Sequence, residues 1–384
     1  MNSLSVPSTT TGHRVRQVQA AKEWQDFVEE KATRTGSDPP PYEFLELIGK
    51  GSFGRVYKAK DRNTQNIVAV KVVEIDDQDY RERPHTKDEN IKSFFKEINV
   101  LQQLKESKAK NINIIYDAFS VHSYLWLVSE YCPGGSVHTL MKPCTKGIGL
   151  EERFIIPIAR ELAIALKTVH EAGVLHRDVK CANILVTEDG RVQLCDFGVA
   201  AVLESNAAKR TTVLGTPHWS PPEMVSAMKN QGEKALPYGA EFDCWAFGCT
   251  VYELATGLPP NSNLDIFRLP ITLRRAPPRL QGDQYSPGLR DFVAFCLELR
   301  PEDRPTAAEI LAHPYITNTS EHYPTDSLTE LIERYAKWEQ EGGHRASLFN
   351  PFGAQAPVTG QDAQLPWTED DEWNFSYTEQ FARE

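Results

Sequence analysis

The chain has 384 residues, 40% hydrophobic and 25% charged, which suits one large or two ordinary domains and excludes a wholly disordered chain. A formal net charge of −11 argues against a general nucleic-acid binder, which needs a basic footprint. The seven cysteines lack paired Cys-x-x-Cys spacing, which argues against a zinc site, and their odd number points to a reducing, cytoplasmic or nuclear setting. The first residues are polar, no apolar run approaches membrane-spanning length, and no fixed-period repeat is visible.

Residues 1–41 read as an N-terminal extension. Residues 1–12 are Ser/Thr-rich and expected to be disordered. Val15, Val18, Ala21, Trp24, Phe27 and Val28 recur at roughly helical spacing. They predict a helix that either packs on the outside of the next domain or docks a partner. Residues 38–41 form a stiff linker.

Gly49-Lys50-Gly51-Ser52-Phe53-Gly54 is a G-x-G-x-x-G run, a weak signal alone because dinucleotide-binding folds share it. Such a fold would open a helix next, whereas residues 55–59 alternate like a strand. Strand, glycine loop and strand make a flap whose backbone N–H groups can approach phosphates. Residues 67–73 form a β-branched strand with Lys71 inside it, a cation that calls for an anion. Residues 91–104 predict a helix with Ile91, Phe94, Phe95, Ile98, Leu101 and Leu104 on one face. Glu97 lies beside that face and is expected to pair with Lys71. The charged connection 74–90 predicts a mobile insertion.

Residues 112–129 predict two more strands, and Glu130 to Gly135 marks a hinge. From Leu150 the pattern turns helical, with Ile155, Ile158, Leu162, Ala165, Leu166 and Val169 as a buried stripe ended by Gly173. Residues 242–256 are largely apolar, Asp243 apart, and residues 289–299 give a further helix. A strand-rich half thus precedes a helical half.

The glycine flap and Val68-Ala69-Val70-Lys71 are followed by His176-Arg177-Asp178-Val179-Lys180-Cys181-Ala182-Asn183 and Asp196-Phe197-Gly198. Pro221-Pro222-Glu223 and Asp243-Cys244-Trp245-Ala246-Phe247-Gly248 complete the series. In kind and order these motifs resemble the eukaryotic protein kinases over residues 42 to about 316. The resemblance implies an α+β bilobal fold: a β-rich N-lobe (42–129) with one regulatory helix, a hinge (130–133) and an α-helical C-lobe (134–316). It implies ATP and Mg²⁺ as cofactors. Ile48, Val56, Ala69 and Leu185 would sandwich the adenine, and the backbone of Glu130 and Cys132 would hydrogen-bond it. Gly49, Lys50, Gly51, Ser52, Phe53, Gly54 and Arg55 would cover the phosphates, and Lys71, set by Glu97, would hold them. Asn183 and Asp196 would bind Mg²⁺, Asp178 would accept the substrate hydroxyl proton, and Lys180 would neutralise the transferring group. The mechanism implied is in-line phosphoryl transfer.

Lys180 and Thr216, the latter bridging Asp178 and Lys180, resemble the serine/threonine kinases. Glutamates that basophilic members carry at the places of Ala182 and Ser136 are missing, which argues against an arginine-directed enzyme. The runs 132–137, 176–183 and 209–219 resemble the sterile-twenty-like kinases, germinal-centre-kinase branch, which often activate other kinases in cascades. The chain departs from those relatives in Ser220-Pro221, where Met-Ala is usual, and in Ser129, a small gatekeeper that leaves a pocket behind the adenine open to bulky adenine-like inhibitors. Glu223 is expected to clamp Arg304. Cys195 reads either as an electrophile target or as a small buried hydrophobe. Arg177 beside Asp178 calls for a phosphate on the activation segment, and the resemblance places it on Thr212, or on neighbouring Thr211.

Residues 317–384 read as a C-terminal extension with a helix over 327–341. Ser327 to Glu330 is a capping-box pattern, Leu328, Leu331, Ile332, Tyr335 and Trp338 form one stripe, and Gly342-Gly343 stops it. That helix must dock on the kinase lobe or on a regulatory partner. Residues 361–384, acidic and aromatic, are a disordered tail or a linear docking motif. The expected partners are protein substrates with Ser/Thr acceptors and a second copy for autophosphorylation in trans, with no nucleic acid and no membrane span. A catalytically silent scaffold and a small-molecule kinase are the alternatives; the full set of catalytic side chains disfavours the first, and the peptide-seating segment 215–223 the second.

Overall fold

The computed structural model describes residues 9–51, 54–74, 98–99, 102, 111–121, 124–144, 148–197, 217–229, 239–264 and 268–343. Outside them lie Ser52, Phe53, the insertion 75–90, Glu97 and most of its expected helix, Thr211, Thr212, Thr216, and both outermost tails. Strands β1 (Tyr42–Gly51), β2 (Gly54–Asp61), β3 (Ile67–Glu74), β4 (Ile115–Val121) and β5 (Tyr124–Glu130) form one sheet of order β1-β2-β3-β5-β4. Every pairing is antiparallel. Gly51 pairs with Gly54, so the glycine run joins two strands and opens no helix, which removes the dinucleotide-fold alternative. At Gly54 (φ 136) a Cβ would overlap the Val72 carbonyl oxygen, so only glycine lets the flap lie this close to β3.

Helix α1 (Thr9–Thr35) packs on this sheet. Gln17, Ala21, Val28 and Ala32 are buried, and Trp24 meets Tyr57 (6.1 Å, stacked) and Tyr124 (5.2 Å, edge-on). Where β1 bulges, the freed Phe44 N–H donates to Gln25 Oε1 at 3.0 Å. The helix therefore packs on the outside of its own domain. Its inward stripe differs from the expected one: Val15 and Val18 are 60% and 47% exposed. The buried positions 17, 21, 28 and 32, with half-buried Trp24 between them, advance by three or four, which puts Val15 on the opposite side.

After the hinge come α2 (Val137–Leu140), N-capped by Ser136, and α3 (Glu152–Glu171). The hairpin β6 (Ile184–Val186) and β7 (Val192–Leu194) follows, then α4 (Pro222–Lys229) and α5 (Ala240–Thr256). Helix α5 is apolar nearly all round, as a fully buried helix must be, and ends on Gly257 in the left-handed region (φ 81). Helices α6 (Leu269–Arg275), α7 (Pro287–Cys296) and α8 (Ala307–Ala312) complete this lobe. Among the described residues no helix is long and apolar enough to cross a membrane.

The last helix, α9 (Thr329–Gln340), docks on the helical lobe. Leu328 and Leu331 are fully buried in its core, and Ile332 and Tyr335 pack against it. Ile332 lies so close to Gly134 that a Cβ there would come within 2.8 Å of Ile332 Cδ1. Buried Arg160 of α3 ties the connecting segment, donating to Thr319 Oγ1 (3.1 Å) and to the Tyr323 carbonyl (3.0 Å). The expected capping box does not form. Ser327 lies in a 3-10 turn and donates to the Pro324 carbonyl (2.7 Å), while Glu330 instead accepts both prongs of Arg153 (2.7 and 2.8 Å). A bidentate guanidinium outcompetes one backbone N–H for that carboxylate. Leu331→Ala should therefore cost about 2–5 kcal/mol of stability, read as a lower denaturation midpoint; a loss below about 1 kcal/mol would mean the helix does not complete the core.

Candidate active site

The loop 175–183 is held from below by one buried carboxylate. Asp243 of α5, fully buried, accepts the N–H groups of His176 (2.8 Å) and Arg177 (2.7 Å), and His170 Nε2 lies 2.8 Å from its Oδ2. Burial pushes its pKa up, but the bond to His170 and the nearby His176 imidazole outweigh this and hold it below the usual aspartate value. These bonds fix a loop in which Arg177 takes φ 71, a left-handed conformation that a side chain ordinarily avoids.

His176 orders the loop from within. Its Nε2–H donates to the Cys195 carbonyl (2.7 Å), and its Nδ1 accepts the Asp178 N–H (3.2 Å), which defines a neutral Nε2–H tautomer. Its ring meets Phe197 edge-on at 4.6 Å. Burial lowers its pKa from the ordinary value, against the raising effect of Asp243.

Asp178 and Lys180 form a close pair (2.7 Å). Asn183 Nδ2 donates to the Asp178 carbonyl (2.7 Å) and to Asp178 Oδ2 (2.9 Å). Both bonds use the amide nitrogen, so the Asn183 amide oxygen is the atom left for a cation. Burial raises the Asp178 carboxyl, yet Lys180 and its hydrogen bond bring the balance below the usual value. The carboxylate thus stays ionised, the state that can accept a proton. From the other lobe, Lys71 Nζ reaches Asp196 Oδ2 at 2.9 Å. The expected partner Glu97 lies outside the described residues, and the described partner of Lys71 is Asp196.

On the nucleotide side, Val56 pairs across strands with Lys71, and Ala69 with Ser129. Tyr57, Ala59, Val68 and Val70 are buried on the opposite sheet face, under α1. Alternation therefore puts Val56 and Ala69 on the face from which Lys71 reaches Asp196. Ile48 of β1 and Leu185 of β6 are half-buried, as is Ser129. Lys50 and Arg55 pair across the flap, and burial, then Arg55, lowers Lys50 to about 8. Like charges directly opposite one another across two strands are unfavourable. The Glu130 N–H donates to the Ile114 carbonyl (2.8 Å), and the Glu130 carbonyl accepts from Asn113 Nδ2 (3.1 Å), which leaves that carbonyl's second lone pair for a ligand. Burial pushes the Cys132 thiol up to about 12, and the Cys195 thiol lies well above its usual value, which disfavours a reactive thiolate, while Cys195 itself is only half-buried, so both readings of it stand.

The expected clamp is present. Arg304, its side chain fully buried, grips Glu223 through two bonds (2.7 and 2.8 Å) and lies over the Trp245 ring. The sequence left the roles of two acidic residues of α5 unassigned. Asp243 stood out as the head of the Asp-Cys-Trp-Ala-Phe-Gly motif and as a charge in a largely apolar helix, but with no task attached to it. Glu253, also buried in α5, accepts from Cys181 N–H (3.2 Å) and Trp219 Nε1–H (3.0 Å), so it joins the 178–183 loop to the segment carrying Ser220.

A sheet-based lobe over a helical lobe, with a lysine–aspartate bridge between them, is the architecture of a protein kinase domain. The protein kinase domain family matches residues 42–316, and the chain belongs to that family. It is 38% identical over 300 residues to serine/threonine-protein kinase ppk11 of Schizosaccharomyces pombe, covering 78% of this chain and 88% of that protein. It is 34% identical over 322 residues to serine/threonine-protein kinase KIC1 of Saccharomyces cerevisiae, covering 84% of this chain but 28% of that protein. It is 33% identical over 293 residues to serine/threonine-protein kinase cst-1 of Caenorhabditis elegans, covering 75% and 54%. These relatives are kinases of the sterile-twenty type.

The neutral His176 gives a pH signature. The unfolded imidazole protonates near its ordinary value of about 6.5, while the folded one protonates only at lower pH because burial penalises the charged ring. The unfolded state therefore takes up more protons as pH falls from 7 to 5, and stability drops, by at most about 1.4 kcal/mol per pH unit. Denaturation midpoints in a pH series should show this slope, reduced in His176→Gln; equal slopes would refute the assignment.

Proposed function

We propose that the chain is an ATP- and Mg²⁺-dependent serine/threonine protein kinase, transferring the γ-phosphoryl group of ATP to Ser or Thr hydroxyls of protein substrates. The observation that carries this reading is the hydrogen-bonded group of Asp178, Lys180 and Asn183, set beside an Asp196 that is bridged to Lys71 of the opposite lobe. Ile48, Val56, Ala69 and Leu185 would take the adenine, with the hinge backbone at its edge. Lys71 would exchange its Asp196 contact for the phosphates, and Glu97 would steady it there. Asn183 through its amide oxygen and Asp196 through its carboxylate would hold Mg²⁺, which supplies charge neutralisation at the phosphates. Asp178 would orient the acceptor hydroxyl and take its proton, and Lys180 would offset charge on the transferring group.

Activation is proposed through phosphate on Thr212, added in trans by a second copy, in a cytoplasmic signalling cascade. A Thr212→Ala chain should show markedly reduced activity; full activity would refute that step. The alternative of a silent scaffold is decided by radiolabel transfer from ATP to a protein substrate. Asp178→Asn should lower transfer by about 10²–10⁴-fold with an unchanged circular dichroism spectrum, and near-wild-type turnover would overturn the assignment of the base.

A further inference from the structure

Behind the hinge lies a polar cluster that the phosphoryl-transfer scheme does not use. Gln193 sits in the middle of β7 between buried Val192 and Leu194, and is itself 1% exposed. A strand core position of this kind ordinarily holds an aliphatic side chain, because a buried amide is costly unless every hydrogen bond is made. Here they are made. Gln193 Oε1 accepts from Asn113 Nδ2 (2.9 Å) and from the Cys132 thiol (3.2 Å), while Nε2 donates to Glu130 Oε2 (2.9 Å). Asn113, also buried, uses the same amide to reach the Glu130 carbonyl (3.1 Å). The backbone repeats the link: Asn113 N–H donates to the Leu194 carbonyl (2.9 Å), and Leu194 N–H to the Asn111 carbonyl (2.8 Å).

Three separate pieces of chain therefore meet in one satisfied network: the segment before β4, the hinge, and the strand that reaches Asp196 two residues beyond Leu194. Satisfied buried networks impose one geometry, since any other leaves a polar group unpaired at low dielectric. We infer that Gln193, with Asn113, is a positioning residue for the nucleotide: it fixes the peptide planes of residues 130–132 and couples them to the strand that carries Asp196. The inference rests on the proposal that the hinge backbone holds the base.

The aliphatic variant Gln193→Leu removes every bond of that amide. The expected result, on full-length protein, is an ATP KM raised about three- to tenfold with kcat changed by less than about twofold. The KM for a peptide substrate should not move. A loss of packing alone would lower stability without this split. The double variant Asn113→Val/Gln193→Leu removes both amides together, so its denaturation midpoint should recover toward wild type. Its ATP KM should stay raised. An ATP KM at the wild-type value in Gln193→Leu, or one that recovers with the midpoint in the double variant, overturns the inference. Direct titration with ADP separates the two levels: a wild-type chain that binds no ADP defeats the nucleotide reading itself, whereas equal ADP affinity in wild type and Gln193→Leu defeats only the role of Gln193.

Discussion

The site depends on one buried carboxylate. Asp243 has no water to solvate it, and removing such a charge from water costs several kcal/mol unless donors replace the solvent. Two backbone N–H groups and an imidazole do so, and the two N–H groups belong to the loop that carries Asp178. The dependence runs both ways. The loop cannot relax from its left-handed turn at Arg177 without stranding the carboxylate, and the carboxylate is tolerated only because the loop is there. Glu253, two to three turns along the same helix, repeats the device for the end of that loop and for Trp219. Helix α5 is thus both the apolar centre of the lobe and the rail on which the reacting groups are mounted.

Around that rail, the chain adds material at both ends of the family match. Helix α1 covers the sheet face turned away from Asp196, and residues 317–340 pack on the helical lobe against α2, α3 and Gly134. Neither touches the catalytic group directly. Each acts on an element that does: α1 through the bulge of β1 that leads into the flap, and α9 through Gly134 just beyond the hinge.

Much of this was legible in the residues. Motif order named the fold, because glycine flap, embedded lysine and Asp-Phe-Gly need each other's chemistry and are seldom found together otherwise. The Glu223–Arg304 clamp was implied by the family resemblance of the two motifs that carry these residues. What escaped is instructive. The phase of α1 is set by the face that the sheet covers and not by the spacing of its apolar side chains; Gln17 is buried where Val15 and Val18 are not. The capping box at Ser327 had the right letters, but Arg153, distant in sequence, claimed Glu330. Local patterns lose to long-range partners of higher charge, and no window of neighbouring residues contains that information. Gln193 was silent for the same reason: a lone glutamine between Val192 and Leu194 looks like the solvent face of an alternating strand until the hinge is seen behind it.

The packing of α9 also bears on how such catalytic units can be recombined. The family match stops at residue 316, yet the apolar contacts continue through Leu328 and Leu331, and Gly134 lacks a side chain where Ile332 sits. Residues 317–340 and the helical lobe are therefore one inheritance unit. A chimera that exchanged catalytic regions between relatives at the family boundary would graft a lobe with part of its core uncovered, and a partner's own C-terminal segment would fit only if it presented a comparable aliphatic side chain to that glycine. The natural junction for such grafts lies beyond Gly342, where the backbone turns left-handed (φ 98) and the helix has ended.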